Sequence, residues 1–219
     1  MLGSNLLEKL KAKVPVSANH LKERRTAPGL FPQEHYQEGL ELFEKGLFAE
    51  ALEEFKLAIQ HGFDSAEAHY NMGLTYTHIS SPAEAIKSYK QAIRIKPDYV
   101  EAYNNLGLAH SNLGQHVEAI SACVRAIRLK PDYVEAHTSL AMTYYNIGSY
   151  PEAIKACRKA LQIRPDDLNA HYRLGLIYID LKDKEEALKV QETLKDLNPD
   201  MALELLDVIH REFTRNPLT

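Results

Sequence analysis

One spacing governs this chain: Ala51, Ala85, Ala119, Ala153 and Ala187 stand thirty-four residues apart. Gly39, Gly73, Gly107, Ala141 and Gly175 keep the same spacing, as do Ala58, Ala92, Ala126, Ala160 and Leu194. Pro97, Pro131, Pro165 and Pro199 close successive periods. Small residues recurring in register mark places where one helix lies close against another. A period of this length with proline punctuation predicts a helix–turn–helix solenoid. Its core is continuous and each unit touches only its neighbours.

Local signals agree with the period. Asp64, Asp98 and Asp132 each precede a glutamate by three residues before a first helix. Ser81, Ser149 and Asp183 do so before a second helix. These read as capping boxes, in which the first side chain accepts from a free N–H and the glutamate reaches back. Pro82 and Pro151 suit the first turn of a helix, where a missing N–H costs nothing. Gly46, Gly114 and Gly148 suit helix ends that need a positive φ. Phe63 and Lys182 depart from the pattern, as terminal repeats do.

These residues resemble the tetratricopeptide-repeat family over roughly residues 32 to 201. The resemblance implies an all-α, right-handed α-α superhelix of five helix–turn–helix units at 32–65, 66–99, 100–133, 134–167 and 168–201. Residues 1–31 are expected to be a basic leader, partly helical or disordered. Residues 202–219 are expected to be a capping helix and tail.

Net charge is −4, which argues against a nucleic-acid binder that works by neutralising phosphates. The leader holds Lys9, Lys11, Lys13, Lys22, Arg24 and Arg25 against Glu8 and Glu23. Charge therefore divides into a basic leader and an acidic body. No apolar run is long enough to span a bilayer and no secretion leader is evident, so a cytoplasmic location is expected, with membrane attachment disfavoured. Cys123 and Cys157 occupy the same repeat position. Stacked equivalent helices hold such residues too far apart for a disulfide, so both read as small packed thiols.

Catalysis is not expected. His35, His69, His137 and His171 share one repeat position, and regular spacing separates them beyond the reach of one metal ion. There is no His-Glu-x-x-His, Cys-x-x-Cys, Gly-x-Ser-x-Gly or Gly-rich phosphate loop. Neither cofactor nor metal is called for.

What the family resemblance implies is a concave channel lined by fixed positions of the first helices. Here those positions hold Tyr36, Leu40, Phe43 and Glu44; then Glu67, Tyr70, Asn71, Leu74 and Thr77. Glu101, Asn104, Asn105, Leu108 and Asn112 follow, then Glu135, Met142, Tyr145 and Asn146, and finally Tyr172, Arg173, Leu176 and Asp180. Tyrosines offer broad apolar contact, Leu and Met an anchor, asparagines bonds to a peptide backbone, and the glutamates an acidic edge. The lysines with which some relatives clamp a terminal carboxylate are missing, though Asn71, Asn105 and Arg173 match that pattern in part. The expected partner is a protein or peptide segment, basic or amphipathic, and the expected role an adaptor. The alternative is a self-assembling structural scaffold like the repeat proteins that coat magnetosomes. Self-association would then use residues 202–213 or the leader.

Overall fold

The computed structural model describes residues 31–214; the sequence expectations for the leader lie outside them. Among the described residues the chain is helical throughout, as five helix pairs and a last helix. The first pair is α1 (Pro32–Glu44) and α2 (Phe48–Gln60), followed by α3 (Ala66–His78) and α4 (Pro82–Ile95). The third is α5 (Val100–Asn112) and α6 (His116–Leu129), and the fourth α7 (Val134–Asn146) and α8 (Tyr150–Ile163). Then come α9 (Leu168–Asp180), α10 (Lys184–Leu197) and α11 (Pro199–Thr214).

Turns inside the pairs share one device. Gly46, Ser80, Gly114, Gly148 and Lys182, thirty-four residues apart, all take positive φ, between 57° and 75°. Ser80 and Lys182 do so without glycine's freedom, a backbone cost of roughly 1–2 kcal/mol each. Helix starts differ from the sequence expectation. Asp183 caps α10, accepting from the Glu186 N–H. Ser81 and Ser149 stand at the cap position without a side-chain bond. Asp98 and Asp132 fall one residue early, leaving Tyr99 and Tyr133 as uncapped N-caps. Asp64 turns instead to the His69 ring at 2.6 Å, and Ser65 caps α3.

The small residues sit where helices meet. A Cβ at Gly39 would fall 2.6 Å from the Phe55 ring, and one at Gly73 2.6 Å from the Tyr89 ring. A Cβ at Gly107 would meet Cys123 Sγ at 2.6 Å and the Ala119 carbonyl oxygen at 3.1 Å. Alanines Ala51, Ala85, Ala119, Ala153 and Ala187 are fully buried opposite.

Neighbouring first helices (α1, α3, α5, α7, α9) touch one another in sequence, whereas neighbouring second helices do not. Each second helix instead wedges against the next first helix. The stack therefore closes up on the first-helix side and splays on the other, which makes the first helices an inner wall and the second helices an outer layer. This is a superhelical solenoid.

Helix α11 covers the open end. Ala202, Leu205 and Ile209 are buried, with Leu205 packed over Gly175. Met201, Val208 and Phe213 pack at their margin. The apolar residues that the sequence assigned to a self-association face are thus mostly turned inward; Leu203 is the one left well exposed, at 60 %.

Candidate functional site

The inner wall carries one half-buried apolar side chain per first helix: Leu40, Leu74, Leu108, Met142 and Leu176. They recur at the repeat spacing, so the rotation per repeat keeps them on one line of the wall. Exposed Glu67 and Glu101 lie toward the helix starts, and exposed Asn112 and Asn146 toward the ends.

Tyrosines and asparagines on this wall bond to one another across repeats. Asn71 donates to the Tyr36 hydroxyl at 2.8 Å, and Asn105 to the Tyr70 hydroxyl at 3.0 Å. Asn146 reaches Ser111 Oγ at 3.4 Å. Each pair spans thirty-five residues, one repeat plus one position, which fixes the phenol against the next helix. Asn71 and Asn146 use one of their four side-chain hydrogen-bonding positions in this way, and Asn105 two, its oxygen also facing Asn104.

Asn104 is a correction to the sequence expectation. It is 4 % exposed and so is not a channel-lining group. The equivalent residues Tyr36, Tyr70 and Tyr172 have long phenols that reach the surface, while the short amide retreats into the wall. Its Nδ2 approaches Asn105 Oδ1 at 3.3 Å and its own oxygen is left without a partner. Phe43 also serves packing, with Phe48 at 5.3 Å and His78 at 5.2 Å between ring centroids. The remaining assigned positions keep accessible surface.

Two aromatic groups escaped the sequence reading. Tyr70 lies 4.9 Å from the Tyr99 ring, and Tyr133 repeats Tyr99 one period later. Burial first pushes both phenols upward, followed by Tyr70, Glu67 and Glu101 for Tyr99 and by Glu135 and Glu101 for Tyr133. Tyr70 itself is pushed up to about 12, again mainly by burial. Their spacing was the available signal. The acidic edge is partly answered: Arg164 spans Glu135 and Asp167, both at 3.1 Å.

At the far end of the wall Arg173 is half-buried, and desolvation lowers its affinity for its proton. No carboxylate among the described residues pairs with it. Beside it, burial and the Asp180 carboxylate hold Tyr145 up to about 12, while Tyr172 donates to Glu204 at 3.0 Å.

The repeated histidines have individual partners. His35 contacts buried Glu54 at 2.7 Å, and His137 and His171 donate to the carbonyls of Pro131 and Pro165. Among the described residues no group of three His, Cys, Asp or Glu side chains converges on a metal position, and no helix is long and apolar enough to cross a membrane. Cys123 and Cys157 are free and fully buried, and burial pushes both thiols up to about 12.

In the three middle repeats charge separates by layer. Helices α4, α6 and α8 carry Lys87, Lys90, Arg94, Arg125, Arg128, Lys155, Arg158 and Lys159 against Glu84, Glu118 and Glu152. Within the five first helices the only Lys or Arg is Arg173, against eight carboxylates. A net charge of −4 hides this division.

Family models described as TPR repeat match residues 83–114 and 143–182, and tetratricopeptide-repeat models match 100–133 and 168–201. A crystal structure of MamA is similar at 30 % identity, covering 77 % of this chain and 94 % of that one, with a TM-score of 0.64. A second MamA structure has 27 % identity over 86 % and 96 %, with a TM-score of 0.65. TTC0263, a thermophilic repeat protein of Thermus thermophilus, shares the fold at 21 % identity, over 81 % and 98 %, with a TM-score of 0.68. Among curated proteins nothing matches.

Proposed function

The chain belongs to the tetratricopeptide-repeat family, and from that premise we propose that it is a non-catalytic adaptor gripping a segment of another polypeptide along its inner wall. The observation that carries this reading is the line Leu40, Leu74, Leu108, Met142, Leu176. Each of these side chains is half-buried, so covering what remains exposed yields roughly 25 cal/mol per Å². The rows beside it supply polarity, from the free capacity of Asn71 and Asn105 to the carboxylates Glu67 and Glu101.

The ligand that fits is an amphipathic segment with an apolar stripe and basic side chains facing Glu67 and Glu101. Opposite Arg173 it carries a carboxylate, because a half-buried guanidinium without a counter-charge is stabilised by one. Rigid tyrosines at both ends, Tyr36 with Tyr70 and Tyr145 with Tyr172, add contact area at low entropic cost.

Peptides selected from a random display library against the wild-type chain test this. Leu108→Glu should weaken the selected peptides about tenfold or more, whereas Lys159→Glu on the outer layer should leave them unchanged. Equal binding by both variants would remove the reading. A self-assembling scaffold is the second reading, favoured by the exposed face of α11.

A further inference from the structure

The outer layer holds a feature that peptide capture on the inner wall does not use. Because neighbouring second helices stand apart, a trough lies over α5 between α4 and α6. Tyr103 and Leu106 of α5 line it, with Val117, Ile120 and Val124 along the α6 side. Its charged lining is Lys90 on α4 and Glu118, Arg125 and Arg128 on α6, three cations against one carboxylate. Val117 is 78 % exposed, an unusual state for a β-branched side chain on a structured helix.

The complementary surface is on the same molecule, at its far end. Outward on α11 run Asp200, Leu203 and Asp207, all exposed, at the i, i+3, i+7 spacing of a single helix face, while Glu204 beside them is held by Tyr172. This face is an apolar knob beside carboxylates, whereas the trough is an apolar cleft whose charges, three cations and Glu118, sum to positive. Val117 and Leu203 are the two most exposed large apolar side chains within the described helices. Left uncovered, each stays in contact with water on a surface whose charge excludes its own kind but attracts the other's.

We propose that the outer face of α11 of one copy docks in the α4–α6 trough of a second copy, Leu203 against Val117 and Asp200 and Asp207 against Lys90, Arg125 and Arg128. The contact is heterologous: each copy offers one knob and one trough, so bound copies keep one of each free and assembly continues head-to-back unless the rotation closes a ring. One helix face covers less than a standard protein interface, so association is weak and grows with concentration. Charge steers it and salt opposes it.

Sedimentation equilibrium of the full chain across concentration and ionic strength tests the proposal. The wild type should rise in mean mass with concentration, and less so at high salt. Leu203→Asp, which spoils the knob, and Arg125→Glu/Arg128→Glu, which spoils the rim, should each associate about tenfold more weakly or worse. All three positions lie on the surface, and circular dichroism of the variants should match the wild type. Mixing the two variants is the decisive arm. One retains the trough and the other the knob, so they should form a one-to-one pair and nothing larger. A wild type that keeps the mass of one chain at the highest attainable concentration, as it would if the trough served a foreign acidic helix, overturns the proposal. So does a mixture that behaves as its separate components. Arg125 and Arg128 lie on the outer layer, away from the inner wall, so peptide binding by that variant should be unchanged and separates this proposal from peptide capture.

Discussion

The first two helix pairs and the next two share a backbone period but fill the gap between layers with different chemistry. In α1–α4 the space under Gly39 and Gly73 is occupied by Phe55 and Tyr89. Tyr36 leans on Phe55 at 5.9 Å, and Tyr70 on Tyr89 at the same distance. In α5–α8 the equivalent places hold Cys123 and Cys157, and Asn104 stands where a tyrosine would. There the Cys123 sulfur is the nearest group to a Cβ on Gly107, with the Ala119 carbonyl oxygen next. A repeat can thus fill the space under its glycine with a ring or with a thiol. The ring buries more apolar area per side chain.

The largest effect should come from emptying a ring site. Tyr89→Ala, at a position 1 % exposed and bonded to Thr77 at 3.0 Å, should cost about 3–5 kcal/mol in urea unfolding. Cys123→Ala in the next pair should cost only roughly 1 kcal/mol for the smaller buried group. Similar losses at both sites would break the distinction between the two regions.

Overpacking comes next. Gly73→Ala and Gly107→Ala should each cost about 1–3 kcal/mol, but relief should differ. Adding Cys123→Ala to Gly107→Ala removes the 2.6 Å sulfur contact and leaves the 3.1 Å carbonyl. The double variant should therefore recover about 0.5 kcal/mol or more relative to additivity. A strictly additive pair would mean that the backbone contact alone sets the penalty.

The smallest signal is chemical. With both thiols pushed from 9.0 to about 12 by burial, the thiolate fraction at pH 8 is on the order of 10⁻⁴. Alkylation followed by mass should run roughly a thousandfold slower than in denaturant. A group held protonated by the fold contributes stability that is fully present below its unfolded value near 9 and is lost as pH rises toward 12. Buried tyrosines such as Tyr70 act in the same direction. Fast native labelling of Cys123 would show that the thiol-filled pairs open locally without global unfolding.

Most of the fold could be read from spacing, because Gly39, Ala51 and their successors report helix contacts directly. Helix starts were less readable: Asp98 and Asp132 sit one residue outside the helix, and a side chain's choice between cap and neighbour depends on distances a sequence does not hold. Asp64, bonded to His69 rather than to its helix, is the clearest case. On the inner wall the leucine line followed from the period, but Asn104 did not, since burial there turns on side-chain length rather than position. The layered charge of the middle repeats is legible helix by helix but not by segment, because segment sums mix α4, α6 and α8 with their acidic partners.

First helices bear on one another while second helices stand apart, which makes the molecule a fan with its ribs joined along one seam. Opening or folding such a fan breaks no rib-to-rib contact on the outside, so the radius of the curve is a soft degree of freedom. A rod laid along the seam would act as a splint, converting occupancy at one margin into a set spacing between ribs at the other.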